Sequence, residues 1–428
     1  MKIHQRFSGV SAVRSAALPR VSLISRLPPA YSLQTRLSFS PAKTTPIGDT
    51  LVVVFLRGAA DGLNMVIPHA EEAYHHLRPG LRLPRPDDPR SPANRRVIDL
   101  DGFFGFHPDL RPLLPAWQAG HLGVIQACGS PDESRSHFKA MELMERGVSE
   151  ETGPSTGWIG RHLASLSTGN PSPLRAIGLG EQIPRSLYGP IPASALQSIT
   201  NFHLGGSQSA QMLAAALEVL YQGDHNLRVQ GRETLRIMKD LEKLDPSSYI
   251  PTGSESPEYP ESDFGRGMLQ IAMLIKAEVG LETAAIDLGG WDTHFAQGVQ
   301  DGLMPRLMAD LSGGLAAFHS DLEKQMGRIT LVMMTEFGRR AYENASLGTD
   351  HGHGGVMFLL GGSINGGQVI SRWPGLEKDN LVGPGDLAVT IDYRDVLSEV
   401  LLNRLNNPAL EEIFPGYEPK PVGVIKPT

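Results

Sequence analysis

Thr50-Leu51-Val52-Val53-Val54-Phe55-Leu56, followed directly by Arg57-Gly58-Ala59-Ala60-Asp61-Gly62, is the stretch on which the fold turns. A run of strand length, apolar at every position and rich in β-branched residues, suits a strand buried on both faces, as in a parallel sheet covered by helices. Asp61 then falls at the carboxyl end of that strand. Glycine on both sides permits close approach of a ligand, although aspartate before glycine is also an ordinary turn former.

Working outward, further apolar runs of strand length lie at Leu122–Ala127, Leu174–Leu179, Thr283–Leu288, Ile329–Met334 and Val356–Leu360. Helical spacing is found over Leu110–Ala119, from Thr156, over Ala210–Tyr221, Leu227–Leu244 and Phe264–Val279, along Leu303–Met326, and over Arg394–Leu405. Strands alternating with helices predict an α/β fold. Arg78–Pro92, rich in proline, arginine and aspartate, reads as a surface excursion. Residues 181–262, with amphipathic helices and a proline- and acid-rich return, read as a helical cap insertion into a domain spanning 49–428. Residues 1–48 carry basic residues at Lys2, Arg6, Arg14, Arg20, Arg26, Arg36 and Lys43 with no acid among them, and read as a targeting or disordered leader.

Composition narrows the class of protein. At 40% hydrophobic and 20% charged residues the chain is ordinary for a globular protein, and 428 residues bury an ample core. The formal net charge of -7 argues against a nucleic-acid partner. One cysteine, Cys128, allows no internal disulfide and no cysteine-rich zinc site. No segment has the roughly 20 uninterrupted apolar residues of a membrane span. Oligomeric state is left open.

The chemistry concentrates where these strands end. Gly348-Thr349-Asp350-His351-Gly352-His353-Gly354-Gly355 places a carboxylate and two imidazoles within four positions, between glycines that let the backbone bend. Imidazole nitrogen together with carboxylate oxygen suits zinc, manganese or iron. A second cluster, Gly289-Gly290-Trp291-Asp292-Thr293-His294, also follows an apolar run. Cys128-Gly129-Ser130-Pro131-Asp132-Glu133-Ser134-Arg135-Ser136-His137-Phe138 precedes a helical stretch, so Ser136 is either a nucleophile at a helix start or an N-cap. Thr335-Glu336-Phe337-Gly338-Arg339-Arg340 offers substrate-binding groups or a solvated ion pair. In a parallel sheet the carboxyl ends of the strands share one rim, so these groups can meet. Three carboxylates there would repel one another without cations among them. Two divalent ions about 4 Å apart would offset that charge and hold the oxygens of a displacement at phosphorus or sulfur.

The order aspartate after the first strand, hydroxyl before a helix, aspartate near histidine, then Asp-His-Gly resembles the alkaline phosphatase superfamily. More closely, Phe55–Gly62, Arg135-Ser136-His137-Phe138, Gly290–His294, Glu336–Arg339 and Thr349–Gly354 resemble the sulfatase-like domain-of-unknown-function family numbered 1501, from about Thr50 to Phe414-Pro415-Gly416. The resemblance implies an alkaline-phosphatase-like three-layer sandwich: a mostly parallel sheet with helices on both faces. It implies a metal-dependent hydrolase of phosphate or sulfate esters acting on a small anionic substrate. Two divalent ions are expected, zinc or manganese first and calcium as a further option. One ion falls to Asp61, Asp350 and His351 with the nucleophile, the other to Asp292, His294 and His353. Ser136 is the nucleophile on this reading, ahead of Ser134 and Ser130, with Arg135, Glu336 and Arg339 around the substrate and His137 as a further ligand. Family members commonly carry a twin-arginine export signal, which points to an exported or periplasmic protein; a cytoplasmic one is the alternative, because no paired arginines precede an apolar core here. Two departures from the superfamily stand out: its members usually space the second aspartate and histidine by three residues, whereas Asp292 and His294 are separated only by Thr293, and neither Cys128 nor Ser130 has arginine where a formylglycine sulfatase needs it. The alternative function is an exported metal-binding protein that acts through partners without catalysis. A metal-free serine hydrolase lacks its Gly-x-Ser-x-Gly elbow here.

Overall fold

The computed structural model describes residues 49–170, 172–199, 208–223, 226–241, 249–253 and 257–427. The leader expected over 1–48 lies outside these residues, as do parts of the stretch 181–262. In chain order the strands are β1 (Thr50–Leu56), β2 (Val66–Ile67), β3 (Ile98–Asp99), β4 (Gly105–Phe106), β5 (Leu122–Gly129), β6 (Ala176–Leu179), β7 (Ser194–Leu196), β8 (Thr283–Leu288), β9 (Ile329–Thr335), β10 (Gly355–Leu360), β11 (Val369–Ile370) and β12 (Ile391–Asp392). The helices are α1 (Gly62–Met65), α2 (Glu72–Leu77), α3 (Leu114–Gln118), α4 (His137–Arg146), α5 (Trp158–Ser165), α6 (Gln208–Leu220), α7 (Asn226–Leu241), α8 (Asp263–Lys276), α9 (Leu303–Asp321), α10 (Tyr393–Asn403) and α11 (Leu410–Ile413).

Nine strands make the main sheet in the order β11-β5-β10-β9-β1-β8-β6-β7, with β12 also on β5, while β2, β4 and β3 form a small sheet. β1 lies between β8 and β9, parallel to both. Its continuous apolar run is explained by what covers it, because alternate residues of a strand face opposite sides. Val52, Val54 and Leu56 enter one core with Met268 and Ile271 of α8 and Leu311, Leu315 and Phe318 of α9. Leu51, Val53 and Phe55 enter a second core with Trp158 and Ile159 of α5, Val396 and Val400 of α10, and Ile413 of α11. The protein is therefore an α/β sandwich of three layers.

The sheet is mostly parallel, as expected, and β10 is the strand that runs antiparallel, to both β9 and β5. The other pairings of the sheet are parallel. Reversal of β10 has a geometric result. Its beginning lies at the same rim as the ends of β1, β5, β8 and β9, so the segment 348–354 never leaves that rim.

Local chemistry explains the remaining differences from the sequence reading. Leu110–Ala119 divides into a 3-10 turn over Pro108–Leu113 and α3, because Pro112 and Pro115 lack the N–H that a continuous helix needs. The helix from Leu303 ends at Asp321 and continues as a 3-10 segment, Glu323–Arg328. Arg78, read as the start of a surface excursion, is fully buried. The stretch 181–262 gives β7 to the edge of the main sheet and carries α6 and α7. Its return is pinned at buried Asp321, which accepts from the hydroxyls of Tyr249 (2.9 Å) and Tyr259 (3.0 Å) and is paired with Lys276. Among the described residues no helix is long and apolar enough to cross a membrane.

Two buried histidines are locked in the neutral form. His107 accepts from the Asp109 N–H at Nδ1 and donates from Nε2 to the Val299 carbonyl. His162 accepts at Nδ1 from the Asn407 amide. Burial pushes both down to about 4. The unfolded chain takes up these protons near pH 6.5 while the folded chain refuses them, so stability is complete above about 6.5 and declines towards 4, by up to about 3 kcal/mol per histidine. Urea unfolding at a series of pH values is expected to show that decline; a flat profile from 6.5 to 4 would contradict it.

Candidate metal centre

Four segments meet at the rim: the turn after β1, the loop after β8, the end of β9, and the loop entering β10. Their backbones approach closely enough that only hydrogen fits at some positions. Gly58, at φ +116°, faces the Asp292 nitrogen, which a Cβ would meet at 2.6 Å. A Cβ on Gly352 would lie 2.3 Å from the Arg339 carbonyl carbon. The end of β9 and the loop into β10 are tied by Gly352 N–H to Gly338 O (2.9 Å) and Arg340 N–H to Asp350 O (3.0 Å). Fully buried Trp291 anchors the loop after β8 in the core.

At the centre is the Asp292 carboxylate. Its Oδ1 lies 3.2 Å from His294 Nε2, 3.3 Å from His351 Nε2 and 3.5 Å from His137 Nε2. His294 Nε2 and His351 Nε2 are 2.9 Å apart. His137, Asp292 and His351 together form a group able to hold a metal ion, each offering one atom within 4.8 Å of the others. Each imidazole has its other nitrogen engaged: His137 Nδ1 with Glu336 Oε1 (2.7 Å), His294 Nδ1 with Asp350 Oδ1 (3.3 Å), and His351 Nδ1 with the Arg135 carbonyl (2.8 Å).

A carbonyl or carboxylate only accepts, so with a cation bound these contacts would hold the proton on Nδ1 and turn the Nε2 lone pair to the metal, whereas without one Asp292 Oδ1, itself an acceptor, takes an Nε2–H. Three Nε2 atoms thus converge on one anionic oxygen. His137 Nε2 is buried and has no hydrogen-bond partner. Zinc–nitrogen bonds of about 2.0–2.1 Å around a tetrahedron put ligand atoms roughly 3.3–3.4 Å apart. Within this group the separations of Asp292 Oδ1 from His351 Nε2 and His137 Nε2, 3.3 and 3.5 Å, lie near that spacing, so these three residues fit a single cation of this kind.

The electrostatics agree. Burial acts to raise Asp292, but the Arg339 guanidinium, bonded at 2.7 Å, outweighs it and holds the carboxyl at about 2. The hydrogen bond to Glu336 raises His137 against the effect of its burial, whereas burial lowers His351. Asp350 is lowered first by the Asn344 amide, which donates to it at 3.1 Å.

The residues singled out in the sequence fall into three groups. Asp292, His294 and His351 come together, joined by His137, which the sequence offered only as a further ligand. Asp350, Glu336 and Arg339 touch the cluster from behind. Arg339 is buried and engaged through Nε, Nη1 and Nη2 with the carbonyls of Ala59, Thr349, Gly58 and Trp291 as well as Asp292, and Glu336 also accepts from the Gly58 N–H, so both serve the scaffold. Asp61 and His353 are directed elsewhere. Asp61 Oδ2 is taken by Arg78 (2.6 Å) and Gln297 (2.7 Å), and His353 Nε2 faces the Ser130 carbonyl (3.0 Å). Neither expected set of three ligands is gathered as such.

Ser136 is the N-cap residue of α4, yet its side chain makes no capping bond. It is exposed and borders a polar hollow of about 520 Å³ with Phe138, Lys139, Glu142 and Arg146. The Arg135 guanidinium pairs with buried Asp386. Sequence reasoning missed the roles of Arg78 and Gln297, since no motif marks a residue that neutralises a carboxylate from another segment.

An α/β sandwich with imidazoles and a carboxylate gathered at the carboxyl rim of its sheet defines the class of protein. The chain belongs to the family described as "Protein of unknown function (DUF1501)", whose model matches residues 49–399. Among solved structures it is similar to the PsFucS1 sulfatase from Pseudoalteromonas sp., at 10% identity and a TM-score of 0.38, over 89% of this chain and 74% of that one. No curated protein matches it in sequence.

Equilibrium dialysis against zinc followed by elemental analysis is expected to find about one ion per chain, lost in acid as protons compete with the metal for the ligands. His351→Ala should remove it, and Glu336→Gln should weaken it by about 10–100-fold; full retention in both would contradict the assignment. Asp61→Asn separates two roles. Stranding buried Arg78 should cost about 3–5 kcal/mol of stability while ion content stays unchanged, whereas loss of the ion without loss of stability would make Asp61 a ligand.

Proposed function

We propose that the protein is a metal-dependent hydrolase of phosphate or sulfate esters working at this rim. The observation that carries the reading is the convergence of three imidazole Nε2 atoms on Asp292 Oδ1, with every Nδ1 held from behind. Mixed nitrogen and oxygen donors favour zinc or manganese over calcium, which takes oxygen ligands. The described residues supply one such group, so the reading uses one cation where the sequence reading used two. A divalent cation there, when bound, supplies Lewis-acid polarisation of the ester and makes water easier to deprotonate.

The chain's own residues do the rest. With a cation bound, His137, His294 and His351 present lone pairs in fixed directions, because Glu336, Asp350 and the Arg135 carbonyl hold their tautomers. Arg339 keeps Asp292 ionised, which balances charge at the centre. The side chains of Asp292 and His294 are each more than 40% exposed, so an anionic ester reaches the cluster from solvent. Ser136 is our assignment for the attacking oxygen. It is exposed at the start of ten-residue α4, where the helix dipole favours an alkoxide. The resemblance to this family, whose members commonly carry a twin-arginine export signal, favours export as the destination.

A second reading has an observation in its favour. His294 Nε2 lies 2.9 Å from His351 Nε2 and 3.2 Å from Asp292 Oδ1, and its entry as a fourth ligand beside His137, Asp292 and His351 would close the shell, as in structural sites, which suits a metal-binding protein that acts through partners. Assay of phosphate mono- and diesters and sulfate esters with the zinc-loaded chain decides between them. Turnover that disappears in Asp292→Ala and falls at least a thousandfold in Ser136→Ala is the expected result. Turnover surviving in Ser136→Ala alone would transfer the attack to water, and none from the intact chain would favour the non-catalytic protein.

A further inference from the structure

One carboxylate near the rim lies in none of the motifs. Asp386 is fully buried in a turn that its own main chain closes, Asp386 N–H to Val382 O at 2.8 Å and Val382 N–H to Asp386 O at 2.9 Å. Two further bonds seat the turn at the rim: Ala341 N–H to Gly385 O (3.0 Å) and Gly354 N–H to Leu387 O (2.8 Å). Backbone contacts thus hold this segment without help from the Asp386 side chain, and a buried carboxylate is costly unless partners offset it.

Its partners are two arginines that reach the Asp292 cluster by separate routes. Asp386 Oδ2 accepts from Arg135 Nη2. The main-chain carbonyl of Arg135 is the group that engages His351 Nδ1, at 2.8 Å. Asp386 Oδ1 faces Arg340 Nε at 3.9 Å, and both atoms are buried with no hydrogen-bond partner. Arg340 Nη1 lies 3.5 Å from Asp350 Oδ2, while Oδ1 of the same carboxylate is 3.3 Å from His294 Nδ1. The Arg340 guanidinium therefore stands between two carboxylates, one buried and one partly exposed. Without the buried charge Arg340 is drawn to Asp350 alone, in competition with His294, and Arg135 loses its ion pair.

We propose that Asp386 is a positioning residue of the metal centre: by holding Arg135 and Arg340 it sets the Arg135 carbonyl against His351 and the Asp350 carboxylate against His294. This rests on the reading of the cluster as a metal centre. Asp386 acts through the groups that orient the imidazoles, as partners behind metal ligands do.

The test titrates the full chain with cobalt, whose visible bands report ligand geometry where zinc is silent. Asp386→Asn, which keeps the shape and removes the charge, is expected to weaken cobalt about tenfold, the lower end for groups behind a ligand, and to shift the bands. Arg135→Gln with Arg340→Gln should reproduce both effects, and adding Asp386→Asn to that pair should cost less than about a further twofold, because members of one network do not act additively. Asp321→Asn is the control. That carboxylate is also buried, but its partners are Lys276, Tyr249 and Tyr259, so the melting temperature should drop while the cobalt bands stay in place. Unchanged affinity and bands in folded Asp386→Asn overturn the proposal, as does a larger further loss when it is added to the arginine pair. Should Asp386→Asn not fold, the arginine pair decides: weakened cobalt binding supports the proposal and unaltered binding overturns it. An intact chain that takes up no cobalt overturns the metal centre itself, and the role of Asp386 with it.

Discussion

Arg339 is the tie on which the rim depends. Its guanidinium is buried and donates to the carbonyls of Gly58, Ala59, Trp291 and Thr349 and to the Asp292 carboxylate. Those acceptors belong to the turn after β1, the loop after β8 and the loop into β10, while Arg339 itself follows β9. One planar cation thus holds the carboxyl ends of three adjacent strands and the start of a fourth. Carbonyls without a partner at this depth would carry a desolvation cost each, and a lysine could not reach so many acceptors from one position. Glycine makes the approach possible, since at Gly58 and Gly352 even a methyl group would collide with backbone.

The same tie sets the charge at the surface. Asp292 is held ionised by Arg339 beside it, and three imidazoles, each anchored at the far nitrogen, surround it. The anchors are of two kinds. Glu336 and Asp350 are carboxylates, and the bond to Glu336 raises His137, whereas desolvation lowers partly buried His351 although the Arg135 carbonyl acts to raise it. Behind this layer lies a separate pair, Asp61 with Arg78, linked through Gln297 to Thr293 and Thr349, with Asp61 Oδ1 buried and without a hydrogen-bond partner. It braces the backbone under Asp292 and Asp350 without adding charge to the mouth.

Much of this was legible in the residues before folding was considered. β1, β8, β9 and β10 are apolar at nearly every position because both faces of the sheet are covered, and that pattern does not depend on which strand lies beside which. Asp292, His294 and His351 were visible because histidine and aspartate beside glycine at the end of an apolar run are uncommon in a purely structural turn. His137 was harder to see, since a single histidine at a helix start has no distinguishing neighbour. Asp350 and Glu336 were visible as carboxylates, but not as carboxylates facing inward to an imidazole and away from substrate.

By itself, then, the sequence determined the layered α/β architecture and the segments that carry polar chemistry, because burial and turn formation are written in local composition. Only the tertiary structure decided which side chains share a point in space. The reversal of β10 keeps its entry loop at the rim, and the direction of each side chain there is set by partners far away in the chain. Asp61 is spoken for by Arg78, His353 by the Ser130 carbonyl, and His137 is turned into the centre by Glu336, nearly two hundred positions later. Contacts across such separations leave no periodicity for a linear reading to find.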